Sequence, residues 1–222
     1  MVPFPWWAYN LNNTGARTLG SGHEPITLTP FGLASTGGKY DGCAVVDNDS
    51  SVGTAFDGFA GYIQVDCSVS AWFFVVSGGN DELRFWSKHS TYGTCNFAVI
   101  YQGGLNRQFS ATGATTSSNV AFSSGWNHVA FTRASGTVKA YLNGALAATL
   151  AGTGANSSAD GASSYEVGQT DNVVDELMAW NVALTAAEVA DVYAAEMARI
   201  TFSPAAKPNS RIYGASLIRR IA

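Results

Sequence analysis

Residues 47–50 read Asp-Asn-Asp-Ser, and Asp171-Asn172 recurs later in the chain. Loop carboxylates and amide oxygens are the hard donors that calcium takes. Asp47, Asp49 and Asp171 are therefore the candidate metal ligands. An Asx-rich turn that needs no ion is the competing reading of the same residues. Asp175-Glu176 offers a second kind of chemistry, an acid pair. The two are adjacent in a strand-like run, where successive side chains point to opposite faces. They are not expected to work on one substrate, and Asp175 reads as an acceptor for backbone amides or a turn cap. His128, inside Trp126-Asn-His-Val-Ala-Phe131, reads as a satisfied structural histidine. His23-Glu24 is followed by Pro25 and cannot open a helical zinc motif. The chain has no G-x-S-x-G, P-loop, H-E-x-x-H or Cys-His metal pair, so the expectation is a protein that is not an enzyme. Cys43, Cys67 and Cys95 lack metal spacing and read as buried free thiols, with one disulfide plus a spare thiol as the alternative.

Binding chemistry has its own candidates. Trp6, Trp7, Tyr9, Trp86, Tyr92 and Tyr101 are the ring types that stack on sugars, although core packing would use most of them. Trp6-Trp7 differs, because two adjacent rings in an extended segment cannot both face one core. At least one is expected to be exposed or covered by a partner. Charge is uneven. Residues 1–196 carry seven Lys/Arg and all 16 Asp/Glu, a net −9, while residues 197–222 carry five Arg/Lys and no acid. Arg211, Arg219 and Arg220 sit in that basic end, which reads as an interaction tail. The acidic body argues against nucleic acid as a partner. Only 13% of residues are charged against 46% hydrophobic, which suits a packed assembly.

Strand signals dominate the elements that must position these groups. Val69–Val76, Leu83–Trp86 and Asn96–Tyr101 are β-rich runs punctuated by Gly, Ser and Asn. Trp126–Thr132, Val138–Leu142 and Leu146–Leu150 form a meander joined at Ser135-Gly136 and Asn143-Gly144. The second pair is a strong type I′ signal. Residues 151–164 read as a loop, and Glu166–Gly168 and Val173–Asn181 return to strand. Thr185-Ala-Ala-Glu188 is a capping box flanked by Leu184 and Val189 at hydrophobic-staple positions, opening one helix to about Met197. Pro204 and Pro208 follow it, and Arg211–Ile218 reads as an extended arm. The expected fold class is all-β: an antiparallel two-sheet β-sandwich with one C-terminal helix and an extended C-terminal tail. One domain is expected over 1–197, with 1–8 as an extended N-terminal arm and 198–222 as a basic tail. No run of 18 apolar residues is present, so no membrane span is expected. The N-terminus lacks a secretory pattern, and the initiating Met favours synthesis and retention in the cytoplasm.

Three blocks then carry a resemblance: Trp126-Asn-His-Val-Ala-Phe131, Val138-Lys-Ala-Tyr-Leu-Asn-Gly144 and Val174-Asp-Glu through Glu188-Val189. In order and spacing they resemble the laminin-G-like, concanavalin A-like lectin and glucanase jelly rolls, including the pentraxin-related branch. Val69-Ser-Ala-Trp72 is similar to the family's core strand, and Leu11-Asn-Asn-Thr14 to its opening strand and turn. The resemblance spans roughly residues 8–195 and implies a jelly roll in which Trp126 and Phe131 pack the core. It also implies calcium as a possible cofactor, though the pentraxin acidic cluster does not match residue for residue. Catalytic relatives carry Glu-x-Asp-x-Glu or Glu-x-Asp-x-x-Glu on one strand face. This chain has neither.

Two functions follow as expectations. The first is a non-enzymatic structural protein of a virion, such as a bacteriophage capsid decoration, head fibre or tail component made in the host cytoplasm. It would self-associate as a closed homo-oligomer such as a trimer and dock other virion proteins through Trp6, Trp7, Arg211, Arg219 and Arg220. The alternative is an extracellular or cell-surface lectin-like module that binds host glycan, with or without calcium.

Overall fold

Apolar and β-branched runs alternate with Gly, Ser and Asn, and the described residues fold as that pattern dictates, mostly into antiparallel strands with one helix. The computed structural model describes residues 7–9, 18–19, 26–29, 33–34, 38–40, 43–46, 55–56, 66–78, 82–87, 97–111, 114–115, 119–150, 166–169, 172–180 and 182–202. An eight-stranded sheet contains β1 (Trp7–Tyr9), β4 (Leu33–Ala34), β5 (Cys43–Val46), β7 (Cys67–Val75), β13 (Gly125–Ala134), β14 (Thr137–Leu142), β15 (Ala145–Leu150) and β17 (Asn172–Trp180). Its order is β15-β14-β13-β7-β17-β5-β4, with β1 also on β17. A six-stranded sheet contains β8 (Glu82–Ser87), β9 (Phe97–Gly103), β10 (Asn106–Ala111), β11 (Ala114–Thr115), β12 (Val120–Ala121) and β16 (Glu166–Gln169). Its order is β11-β10-β9-β8-β16, with β12 also on β10. β2 (Thr18–Leu19), β3 (Ile26–Thr29) and β6 (Ala55–Phe56) make a small third sheet.

The two large sheets stack over one core. Alternation on β7 turns Val69, Ala71, Phe73 and Val75 inward, and register sets them against Phe131, Val129, Asn127 and Gly125 of β13. Phe97, Val99, Phe109 and Ala111 meet them from the other sheet. Phe131 stacks on Phe97 at 5.2 Å between ring centroids and takes Phe109 edge-on at 5.6 Å. Each such ring buries enough apolar surface to hold the layers together by about 1.5–3 kcal/mol.

The turns follow their residues. Asn143 and Gly144 have φ of 50° and 79°, and Ser135 and Gly136 have 47° and 79°, as two-residue I′ hairpins require. A Cβ on Gly144 would also lie 2.9 Å from Tyr193 Cδ1, so the helix rests on this turn. The helix α1 (Ala186–Phe202) starts at the expected box: the Thr185 amide donates to Glu188 Oε2 at 2.8 Å, and the Glu188 amide donates to Thr185 Oγ1 at 3.3 Å. It runs five residues past the expected end, because Ala198-Arg199 and their neighbours favour helix and the stop is left to Pro204. At the other end, Trp7 and Ala8, expected in an extended arm, lie in β1 opposite Ala179 and Met178.

Candidate functional site

Each large sheet has an outward face, and the two are finished differently. On the eight-stranded sheet, register lines up Thr132, Ser68 and Trp180 in one outward row and Ala130, Ser70 and Met178 in the next. His128, Trp72 and Asp175 form a third row. α1 lies over these rows, with Leu184, Val189 and Val192 packed on Ala130, Tyr141, Met178 and Trp180. That cover explains why β7, an interior strand, is buried on both faces along nearly its whole length.

The polar groups under the helix are closed off from water. Trp72 Nε1 donates to Glu196 Oε2 at 2.7 Å, and His128 Nε2 lies 3.5 Å from the same oxygen, with both side chains fully buried. The Tyr40 hydroxyl donates to the Glu196 carbonyl at 2.5 Å, and Lys39 Nζ sits 4.2 Å over the Trp72 ring. Burial lowers the Lys39 ammonium, against the pull of Glu196. Burial pushes His128 down to about 3, so the imidazole is neutral. Asp175 is raised to about 8 by burial and by neighbouring Glu176, against the backbone amides that donate to it. Two of those donors are the Glu176 amide at 2.8 Å and the Tyr40 amide at 3.3 Å. Strict alternation fails here, because the register shifts between Asp175 and Met178 and Glu176 takes φ of 49°. Asp175 therefore serves the bulge as a backbone acceptor, the role its sequence position suggested.

The face of the six-stranded sheet is open. β10 alternates Arg107, Phe109 and Ala111 inward with Asn106, Gln108 and Ser110 outward. Ile100 of β9 pairs with Gln108, while Gln102 and Asn106 are exposed at the hairpin end. Gln108 Nε2 donates to Asn119 Oδ1 at 3.3 Å in an exposed bond. The single cation of β9 and β10 is withdrawn from this surface. Arg107 is 0% exposed, its Nη1 donates to the Gly104 and Asn106 carbonyls, and it lies 4.8 Å from the Tyr101 ring. On β9 and β10 this leaves a strip of neutral amides and one hydroxyl beside Ile100, and on β8 the register sets Arg84 opposite Ala98 on the same face. Each amide both donates and accepts, a set that matches polyhydroxylated ligands and does not select charge.

Trp6, Asp47, Asp49, Asp171, Arg211, Arg219 and Arg220 lie outside the described residues, and of Trp7 the backbone pairing alone is described. Among the described residues no three His, Cys, Asp or Glu side chains group as a metal site. No helix among them is long and apolar enough to cross a membrane. Cys67 is a buried free thiol whose burial pushes it up to about 12. Phe131 is the core residue expected, but Trp126 is a correction. It pairs with Phe74 on the outward face, half-buried, with the rings edge-on at 5.3 Å. Sequence reasoning passed over β10, although its polar–apolar alternation is the signal that marks it.

The chain matches the concanavalin A-like lectin/glucanases superfamily over residues 46–190. No curated protein matches it. Among solved structures it is similar to Trypanosoma rangeli sialidase in complex with 2,3-difluorosialic acid, at TM-score 0.60 and 12% identity over 85% of this chain and 32% of that one. It is also similar to the botulinum neurotoxin type G receptor binding domain, at 0.56 and 12%, over 87% and 52%. A third similar structure is domain 4 of AbnA, an extracellular GH43 arabinanase of Geobacillus stearothermophilus in complex with arabinotriose, at 0.51 and 19%, over 87% and 100%. The chain thus spans about a third of the sialidase and the whole of the arabinanase domain. Similarity at this identity establishes a sandwich that enzymes and binding domains share.

Proposed function

The chain belongs to the concanavalin A-like lectin/glucanase superfamily, and from that premise we propose that it is a non-catalytic module that binds neutral carbohydrate on the open face of the six-stranded sheet. One observation carries the reading: the outward side chains of β9 and β10 are uncharged, and the amides among them, Gln102, Asn106 and Gln108, are within reach of solvent, while the opposite face is sealed by α1. Amide ladders discriminate hydroxyl patterns through paired donors and acceptors, and Ile100 supplies apolar contact for a sugar C–H face. The arabinotriose bound to the AbnA domain is a precedent on the same fold, at a scale this chain matches end to end.

The non-catalytic part rests on the acids. Asp175, Glu176 and Glu196 are 0%, 6% and 0% exposed, and the first is held by backbone donors. A retaining or inverting pair needs two carboxyl groups facing one accessible glycosidic bond. A particle component draws support from sequence features alone, the low charge content, Trp6-Trp7 and the basic C-terminal residues, which places it behind the binding reading.

The test is a glycan array of neutral and anionic oligosaccharides, probed with the wild type and a Gln102→Ala/Gln108→Ala variant. Binding to neutral glycans that drops about tenfold or more in the variant supports the proposal. Silence across the array, or binding that ignores both substitutions, overturns it. An EDTA arm separates a calcium requirement at Asp47, Asp49 and Asp171 from binding at the amides.

A further inference from the structure

We infer that the C-terminal half of α1 is an acid-released cover, which lifts from the eight-stranded sheet as His128 beneath it takes a proton, while the first turns of the helix stay docked. The two halves are held differently. Leu184, Val189 and Val192 bury apolar surface against Ala130, Tyr141, Met178 and Trp180. Ser68 Oγ fixes the approach to the helix, donating to the Val182 carbonyl and accepting from the Leu184 amide, both at 2.8 Å. Among residues 193–198 the one buried side chain is that of Glu196, an acid.

That half seals in polar groups that it does not satisfy. Among the described residues neither ring nitrogen of His128 has a hydrogen-bond partner, although Glu196 Oε2 is 3.5 Å from Nε2, and Ser70 Oγ has none either. The crevice beside them, lined by Ser70, His128, Val189 and Val192, is too narrow for a water molecule to serve instead. A buried polar group left unbonded forfeits its hydration, so closing the helix over this row costs free energy.

A proton on His128 raises that cost. The titratable groups around it are Glu196 and Tyr193 on α1, Lys39 and Tyr40 against Trp72, and Asp175 with Glu176 at the far end of its row. His128 meets the Trp72 ring edge-on at 5.4 Å, and Lys39 Nζ lies 4.2 Å over the same ring, so an imidazolium would face a like charge. Glu196 is the counter-charge, but its Oε2 is already taken by Trp72 Nε1 at 2.7 Å. Burial holds the closed imidazole to about 3, against 6.5 in water. Below pH 6.5 the open form therefore binds a proton that the closed form does not, and opening gains about tenfold per pH unit. Asp175 has the opposite sign. Its backbone donors, on Lys39, Tyr40 and Glu176, lie off α1 and keep it sealed when the helix lifts. Release joins Trp72 to half-buried Phe74 and Trp126 in the next row, so acid uncovers an aromatic surface. None of this rests on the carbohydrate reading.

Hydrogen exchange on the full chain tests the release. A detached stretch of about ten residues is too short to stay helical in water, so lifting exposes its amides. Protection of residues 193–198, corrected for intrinsic exchange, should fall about fiftyfold from pH 6.5 to 4.5. Amides of β7 and β13 should stay within a few-fold, because global unfolding exposes both His128 and Asp175 and their slopes oppose one another there. His128→Gln removes the titrating ring and should flatten the α1 profile. Glu196→Gln keeps an acceptor for Trp72 and should keep the slope. A wild-type profile that is flat over 193–198, or a fall shared equally by β7, overturns the inference. So does a slope that survives in His128→Gln, or one that vanishes in Glu196→Gln and so assigns the proton to Glu196. Should His128→Gln fail to fold, the wild-type contrast between α1 and β7 decides together with Glu196→Gln.

Discussion

Trp72, His128 and Asp175 share one row on the outside of the eight-stranded sheet, and none of them meets solvent. Gln102, Asn106 and Gln108 occupy the outside of the six-stranded sheet, and water reaches all three. Strand alternation makes an outward face in both cases. What differs is the cover. A helix placed after β17 turns the first face into a second core, so its polar residues must find partners within the protein. On the second face no described element seals off Gln102, Asn106 and Gln108, so these amides remain within reach of a ligand. A buried polar row is scaffold and an open one is a candidate surface, even when residue types overlap.

Trp180→Ala attacks the covered face and has the largest expected effect. The ring is 2% exposed and lies against Leu184, Val189 and Val192. Its removal leaves a cavity beneath α1 and should cost about 3–5 kcal/mol by urea unfolding. A loss under about 1 kcal/mol would mean that the helix is not a true second layer, and the contrast between the faces would fail.

A second, smaller effect is pH-dependent. The unfolded chain protonates His128 as pH falls through about 6.5, whereas the folded chain resists until about 3, so this group costs stability below 6.5. Asp175 acts in the other direction: unfolded, it ionises above 3.8, but folded it keeps its proton to about 8, so stability falls as pH rises between those values. The two slopes oppose one another between about pH 4 and 6.5. From 6.5 to 8 the Asp175 slope is left alone, and about 2 kcal/mol should be lost. Unfolding measured across that interval should show the decline in the wild type and a flatter profile in Asp175→Asn. Equal slopes in both would remove Asp175 from the account and assign the decline to another group.

Much of this contrast was legible in the sequence, but unevenly. Asn143-Gly144 and the Thr185–Glu188 box are local signals whose chemistry fixes their geometry, and both appear as their residues require. The strand runs around β7, β9, β13 and β17 were visible because apolar β-branched and aromatic residues cluster there. β10 was less visible, because half its positions are amides and hydroxyls and its buried member is an arginine. Trp126 shows the deeper difficulty. Alternation puts it on the face of His128, Ala130 and Thr132, opposite to Phe131, yet which sheet face is covered depends on where α1 lands, and no local pattern carries that. The Trp72–Glu196 contact joins residues 124 apart in sequence and follows from the helix docking alone.

Gln108→Ala makes the smallest change in stability and sharpens the comparison most. Its bond to Asn119 at 3.3 Å is exposed, so water replaces it at little cost. The expected change is within about 0.5 kcal/mol, against several for Trp180→Ala. Measured in the same urea series, a loss above about 1.5 kcal/mol would show that the amide strip braces β10 against β12. The open face would then be support, as the covered one is, and its spare hydrogen-bonding capacity would no longer point to a ligand. A neutral substitution leaves Gln108 without a structural duty, which is the condition a recognition residue must meet.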